Sequence, residues 1–255
     1  MRYVALGSSM AAGPGIAPRV EGSPFLAGRS ALNYAHVAAE RLGADLIDVT
    51  YSGATTAHIL RDSQRGAPPQ ADALDGSEDL VTVTIGGNDV GYVPLLFAGS
   101  LPAWVRRLPG VGTAARDLLD VGARDAALER VASELNAVGS VIRRRSPRAR
   151  IFFVDYLTLL PPPGVAAPPL PSEVAELGRH VAGRLAELTA AAARDTGCEL
   201  VAAAEASRAH HAWSHAPWTT GAGWPLPGRP QPFHPTAAGM RAVAELVVGA
   251  ASLGG

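Results

Sequence analysis

Five short apolar runs, separated by stretches of helical spacing, constrain this chain more than any other feature. Three come early: Tyr3-Val4-Ala5-Leu6, Leu46-Ile47-Asp48-Val49 and Leu80-Val81-Thr82-Val83-Thr84-Ile85. Each ends in a turn of glycine and small polar residues, respectively Gly7-Ser8-Ser9-Met10, Tyr51-Ser52-Gly53-Ala54-Thr55-Thr56 and Gly86-Gly87-Asn88-Asp89. Ile151 to Tyr156 and Cys198 to Ala202 repeat the pattern later. Short apolar runs bounded by glycine read as buried strands. Helical periodicity is expected over 31–42, stopped by Gly43, over 117–145, ended by Pro147, over the Ala-rich 172–195, and over 236–251. Thr55 and Thr56 are placed to cap a helix after the second strand. Strands alternating with helices predict a mostly parallel five-stranded sheet in a three-layer α/β/α sandwich.

Such sheets bind ligands beyond the carboxyl ends of their strands. The Gly/Ser turns are therefore where chemistry is expected. The connections 16–29, 63–77 and 161–171 are rich in Pro, Gly or polar residues and read as loops, and 94–112 reads as short helical pieces forming a part-mobile cover over the site. No linker or repeat divides the chain, so residues 1–255 are expected to form one domain. Composition excludes several classes. With 22 basic against 23 acidic residues and a net charge of −1, nothing recommends a nucleic-acid or membrane-surface partner. No apolar run is long enough for a membrane span. The single cysteine, Cys198, offers no internal disulfide, and the first strand begins two residues after Met1, which together predict a cytoplasmic protein. The sequence carries no signal for an oligomeric state.

Serine catalysis needs an activated hydroxyl, donors aimed at the developing oxyanion, and an open approach. Ser9 stands at the first strand end as nucleophile candidate, although Ser8 and Ser9 equally suit a helix cap. Gly53, lacking Cβ, lets its backbone N–H approach a reacting oxygen, or is simply a turn residue. The Asn88 amide is a donor for an oxyanion, or a cap beside glycine. Taken in order, these blocks resemble the SGNH hydrolases, also called the GDSL esterase and lipase family. Gly7-Ser8-Ser9-Met10 looks like that family's first block, Gly53 its second, Gly86-Gly87-Asn88-Asp89 its third and His234-Pro235 its last, so the resemblance spans nearly the whole chain.

The resemblance implies a flavodoxin-like fold and a cofactor-independent esterase or lipase acting on a small-molecule ester. It assigns Ser9 as nucleophile, the Ser9 and Gly53 N–H groups and Asn88 as the oxyanion hole, and His234 as general base. The chain departs from the family twice: Ser8 stands where an Asp usually precedes the nucleophile, and Gln231 stands where the last block, Asp-x-x-His, has its Asp. His234 is therefore expected to form a dyad with Ser9. Its Nδ1–H would be oriented by a main-chain carbonyl of the 227–232 stretch or by the Gln231 side chain, an arrangement similar to one among actinobacterial members. A carboxylate from Asp89 or Glu205 is the competing source of support. Lipid esters, acyl thioesters and phospholipids are the substrate variants weighed, and a catalytically retired ligand-binding protein is the rival from another class.

Trp213, Trp218 and Trp224 lie between the last strand and His234 and are candidates to wall an acyl pocket; Pro217-Trp218-Thr219-Thr220-Gly221 also looks like a segment of secreted relatives. His210, His211 and His215 cluster, but without further ligands at metal spacing they predict a loop, not a metal site. No cofactor is expected, and His36, His58 and His180 are given no role.

Overall fold

The computed structural model describes residues 1–102, 104–226 and 228–253. Five strands, β1 (Arg2–Gly7), β2 (Asp45–Asp48), β3 (Leu80–Thr84), β4 (Arg150–Val154) and β5 (Glu199–Val201), form one sheet in the order β2-β1-β3-β4-β5. Every pairing is parallel. This is the flavodoxin-like order, in which the chain reverses direction across the sheet between β1 and β3.

Alternation along the strands sorts the core into two layers. Val4 and Leu6 of β1, Val81 and Val83 of β3, and Ile151 and Phe153 of β4 face one apolar cluster. Tyr3 and Ala5, Leu80, and Phe152 and Val154 face the other. The first layer is covered by α3 (Thr56–Leu60), α4 (Tyr92–Ser100), α6 (Val121–Arg145) and α7 (Ser172–Asp195), the second by α2 (Tyr34–Leu42) and α9 (Ala237–Ser252). The short α1 (Ser9–Ala12), α5 (Val111–Leu119) and α8 (Ala203–Ala206) complete the helices discussed. Because parallel strands are buried on both faces, their period-2 signal disappears and only continuous apolar runs remain in the sequence.

Element boundaries follow capping chemistry. The predicted helix over 31–42 begins instead at Tyr34, because Asn33 accepts from the His36 N–H and caps it, and it ends at Gly43 in the left-handed conformation. Thr55 and His58 close a capping box on α3, which gives His58 a structural task. The helix over 172–195 forms with the expected bounds. The helix predicted over 117–145 is in fact two. α5 stops at Leu119, and the Asp120 carboxylate accepts from the Ala123 N–H at 2.7 Å to start α6 afresh. Val121, expected on the buried face, is 56 % exposed. The cover predicted over 94–112 consists of α4, a single 3-10 turn at Val105–Arg107 and the start of α5; Ala103 within it lies outside the described residues.

Candidate active site

Ser9 is the first helical residue after β1, and its place is fixed by what the strand end cannot do otherwise. Gly7 has φ +146°, and a Cβ there would stand 2.6 Å from the Thr84 carbonyl oxygen, so only glycine lets β1 and β3 approach. The Gln70 side chain clamps the same residue, accepting from the Gly7 N–H at 2.7 Å and donating to its carbonyl at 3.0 Å. Ser8 then runs extended, donates its N–H to Thr84 at 2.9 Å, and turns its hydroxyl to Tyr156 at 3.3 Å, away from Ser9's partner. Tyr156 also accepts the Gly87 N–H at 2.9 Å, which ties the first and third strand ends together.

His234 meets Ser9 from the other end of the chain. Its Nε2 lies 2.8 Å from Ser9 Oγ, and its Nδ1 lies 2.8 Å from the Pro232 carbonyl oxygen. A carbonyl can only accept, so Nδ1 carries the proton and the Nε2 lone pair is left for the serine hydroxyl. The pair is nearly sealed, with 8 % of Ser9 and 5 % of His234 exposed. Burial holds the His234 pKa below its ordinary imidazole value, and the bond to Pro232 opposes that shift in part.

The turn that aims the Pro232 carbonyl passes through Phe233, a buried residue at φ +57°. A bulky side chain in the left-handed region costs about 1–3 kcal/mol and persists where surroundings over-determine it. Here Phe233 packs edge-on against Phe97, ring centroids 5.7 Å apart. The 217–221 segment straps the turn from outside: Thr219 pairs with Pro235 in an antiparallel bridge, Thr220 N–H donates to the His234 carbonyl at 2.8 Å, and Thr236 N–H donates to Trp218 at 2.8 Å. The Thr220 hydroxyl adds bonds to the Gln231 carbonyl at 2.6 Å and from the His234 N–H at 3.1 Å.

The other predicted residues are distributed as follows. Gly53, at φ +80°, is exposed, a Cβ there would make ordinary contact with Gln64 Nε2 at 3.7 Å, and it lines the same cleft as Ser9, Asn88 and His234. Asn88 Nδ2 donates to the Ala54 carbonyl at 2.8 Å, which fixes the amide's orientation and leaves its second N–H unused. Asp89 binds the Thr56 N–H and hydroxyl, the latter at 2.6 Å, and so joins β3's end to α3; Glu205 is exposed and paired with Arg208 at 3.8 Å. Neither carboxylate is at His234. Gln231 reaches the rest of the chain through its backbone, with its side chain exposed at the cleft edge, so of the two supports expected for Nδ1 the geometry presents the carbonyl of Pro232. Pro227, the first residue of that stretch, lies outside the described residues.

The cleft encloses about 590 Å³ and is walled by α4 and α5 through Val93, Phe97, Leu101, Val111, Ala115 and Leu118. The tryptophans expected there stand elsewhere. Trp213 donates to the Pro168 carbonyl at 3.1 Å, Trp218 stacks flat on His210 at 4.0 Å, and Trp224 is 81 % exposed. The stack absorbs one member of the histidine cluster, and no group of three metal-ligating side chains occurs among the described residues. A second cavity of about 580 Å³ lies between the end of β4 and α7, with Asp155 on its wall and none of Ser9, Asn88 or His234.

Sequence reasoning missed Gln70, Tyr156 and Thr220, and it reached the Pro232 carbonyl only as one of those in the 227–232 stretch. Gln70 sits 63 residues from the glycine it clamps and left no local signal. Thr220 lay inside a segment already marked as similar to relatives, and that mark was the available pointer.

The profile of the GDSL-like lipase/acylhydrolase family matches residues 5–242. Lipase 2 of Streptomyces coelicolor is 34 % identical over 248 residues, covering 95 % of this chain and 83 % of that protein. Among solved structures, phospholipase A1 from Streptomyces albidoflavus NA297 is similar with TM-score 0.80 and 25 % identity over 97 % of both chains. An extracellular lipase from Streptomyces rimosus is similar with TM-score 0.76 and 26 % identity over 98 % of both.

Proposed function

The chain belongs to the GDSL-like lipase/acylhydrolase family and is a serine-dependent carboxylic ester hydrolase, and from that premise we propose that Ser9 and His234 perform the reaction as a dyad on esters with an apolar acyl chain. The observation that carries the residue assignment is the buried contact of Ser9 Oγ with His234 Nε2 at 2.8 Å, the imidazole's other nitrogen being held by a carbonyl.

Ser9 Oγ attacks the ester carbonyl carbon as its proton passes to His234 Nε2. Negative charge collects on the former carbonyl oxygen. The Ser9 and Gly53 N–H groups, neither engaged in the backbone network among the described residues, and the unused Asn88 N–H receive it. Collapse breaks the bond to the alcohol oxygen, which leaves with the proton from His234. Water then attacks the acyl-Ser9 ester, His234 taking its proton and returning it to Ser9 Oγ as the carboxylic acid departs. The acyl chain lies along the α4 and α5 wall, whose apolar character favours lipid esters over sugar esters. Relatives described as a lipase and a phospholipase A1 agree with that choice. A single domain over residues 1–255 and a reducing, cytoplasmic location belong to the same reading; the family profile spans most of the chain, and the only cysteine, Cys198, is buried and free.

The test uses p-nitrophenyl esters of graded acyl length together with a fluorophosphonate probe. Ser9→Ala is expected to lower kcat by a factor of about 10⁴ or more and to abolish labelling, and medium or long acyl chains are expected to outperform acetate. Full turnover by Ser9→Ala would refute the nucleophile.

A further inference from the structure

Of the ten large apolar side chains that are 44 % or more exposed among the described residues, six are Phe25 and Leu26, Trp104 and Leu108, and Trp224 and Leu226, with Trp104 at 67 % and Phe25 at 80 %; Met1, Val121, Val165 and Leu253 lie elsewhere. The six occupy three segments, each tied by contact or by chain continuity to residues that line the cleft. The turn holding Phe25 and Leu26 is bound to cleft-lining Ser52, whose N–H and hydroxyl both donate to the Ala27 carbonyl, at 3.0 and 2.9 Å. Trp104 and Leu108 lie between cleft-wall residues Leu101 and Val111. Trp224 and Leu226 precede cleft-edge Gln231, and the neighbouring Gly223 packs toward Pro232. Apolar groups of this size ringing an apolar cleft are an interaction surface.

Positive charge is also present at the rim. Arg19, Arg65, Arg106, Arg116 and Arg229 make no ion pair among the described residues, as is true of Arg130, Arg143, Arg144, Arg148 and Arg241 elsewhere. Arg19 lies over the Phe25 ring at 5.5 Å, Arg65 is on the loop whose Gln64 donates to the Ser52 carbonyl at 2.9 Å, and Arg116 follows cleft-lining Ala115. The acids on these segments are Glu21 and Asp62, together with Asp117, which is paired with Arg124. A chain of net charge −1 thus carries a cationic, aromatic collar around its cleft. A second copy of the same chain would set arginine against arginine, whereas an anionic lipid surface complements both the charge and the tryptophans.

We propose that the rim formed by residues 25–26, 104–108 and 224–226 docks onto an anionic lipid–water interface and delivers the cleft mouth to it. Aromatic and aliphatic side chains enter the headgroup boundary, the arginines remain at the phosphate level, and an acyl chain passes from the lipid to the α4 and α5 wall without crossing water. The proposal rests on the ester-hydrolase reading for the use of such a surface, and not for its existence.

Binding is measured by co-sedimentation of full-length Ser9→Ala with vesicles of phosphatidylcholine alone or mixed with phosphatidylglycerol, so that no product accumulates. Partition onto the mixed vesicles is expected to exceed that onto neutral ones at least tenfold and to fall as salt rises. Trp104→Ser with Trp224→Ser should lower it about tenfold, while the same pair in the wild-type background keeps hydrolysis of a dissolved short-chain ester within twofold, which also shows that it folds. Three results would overturn the proposal: no partition at low salt, equal and salt-insensitive partition onto both vesicle types, or undiminished binding by the tryptophan variant. A dimer that this variant abolishes, without vesicle binding, would assign the rim to a second copy instead. Loss of the hydrolase reading would appear separately, as a wild-type chain inert toward dissolved esters.

Discussion

The Thr220 hydroxyl is the contact on which the position of His234, the proposed base, most plainly depends, and Thr220→Val isolates it. Valine keeps the shape and removes only Oγ1, which bonds the Gln231 carbonyl at 2.6 Å, the His234 carbonyl at 3.1 Å and the His234 N–H at 3.1 Å. The Thr220 N–H still donates to the His234 carbonyl at 2.8 Å, so the strap stays attached. Gln231 is exposed and its carbonyl can turn to water. The His234 N–H cannot do so freely, because its residue is buried. A stranded buried donor costs about 1–3 kcal/mol, and part solvation of this one places it near 1–2 kcal/mol, a fall of roughly 2–8 °C in Tm for a chain of this size. The effect on chemistry is separate. Loosening residues 231–234 lets the imidazole drift from Ser9, and an error of about 1.4 kcal/mol in transition-state alignment is tenfold in rate. Thr220→Val should therefore lower kcat about tenfold with KM little changed. It should also move the acid limb of the pH profile downward, since a slackened Pro232 bond no longer raises the His234 pKa. Thr220→Ser, which keeps the oxygen, should restore kcat to within twofold. A kcat for Thr220→Val within twofold of wild type, with an unmoved acid limb and a lowered Tm, would show that the hydroxyl serves stability alone.

Three further outcomes follow from the same geometry. In the proposed dyad His234 serves as base only when neutral, and burial lowers its pKa, so kcat/KM should rise with pH and level off with an apparent pKa below about 6.5; a limb centred above 7 would contradict a buried neutral base. Gln231→Asp places a carboxylate at the position usual for the family, yet Nδ1 is already taken by Pro232 and the side chain faces solvent, so kcat should rise less than about threefold; a tenfold gain would mean that His234 lacks support. Asp155, buried with its pKa pushed up to about 6 chiefly by desolvation, stabilises the fold below the unfolded carboxyl value near 3.8 and loses that contribution as pH rises through about 6. Asp155→Asn retains an acceptor for the Ala204 N–H, so its stability relative to wild type by urea unfolding should be more favourable at pH 8 than at pH 4 by about 2 kcal/mol. A pH-independent difference would show the carboxyl to be unperturbed.

Much of this molecule was legible from local signals. Strand ends, caps and the motif blocks around Ser9, Gly53, Asn88 and His234 are written in adjacent residues, and the helix over 172–195 formed with the bounds its start signal and composition implied. What escaped depends on the chain meeting itself. The apolar spacing across Leu118 and Val121 continues helically, but the Asp120 carboxylate competes for the next N–H and breaks the helix there. A carbonyl of the 227–232 stretch was legible as the partner of His234, but Pro232 within it was not, because every residue possesses a carbonyl. Tryptophans near His234 in sequence turned outward or into other contacts, and the cleft received its wall from helices α4 and α5, more than a hundred residues upstream. Net charge averages over the surface, so a balance near zero says nothing of where the arginines stand relative to the cleft.

A carbonyl in the acid's position changes how the reaction's charges balance. In the proposed mechanism, attack by Ser9 creates an imidazolium and an oxyanion in one largely buried site, and at about 4 Å and an effective dielectric of 20 their attraction is on the order of 4 kcal/mol. A carboxylate behind the imidazole would stabilise the cation and, through the same low-dielectric medium, oppose the anion. The Pro232 oxygen fixes the tautomer and the ring's direction, which are the parts of the acid's role that geometry alone can supply, while adding only a dipole. Stabilisation of the transition state then falls more heavily on the donors beside Ser9. The extensive bracing of that side, with Gln70 clamping Gly7, Tyr156 joining Ser8 to Gly87 and Asn88 anchored on Ala54, is what a site relying on fixed donors more than on a third charge requires.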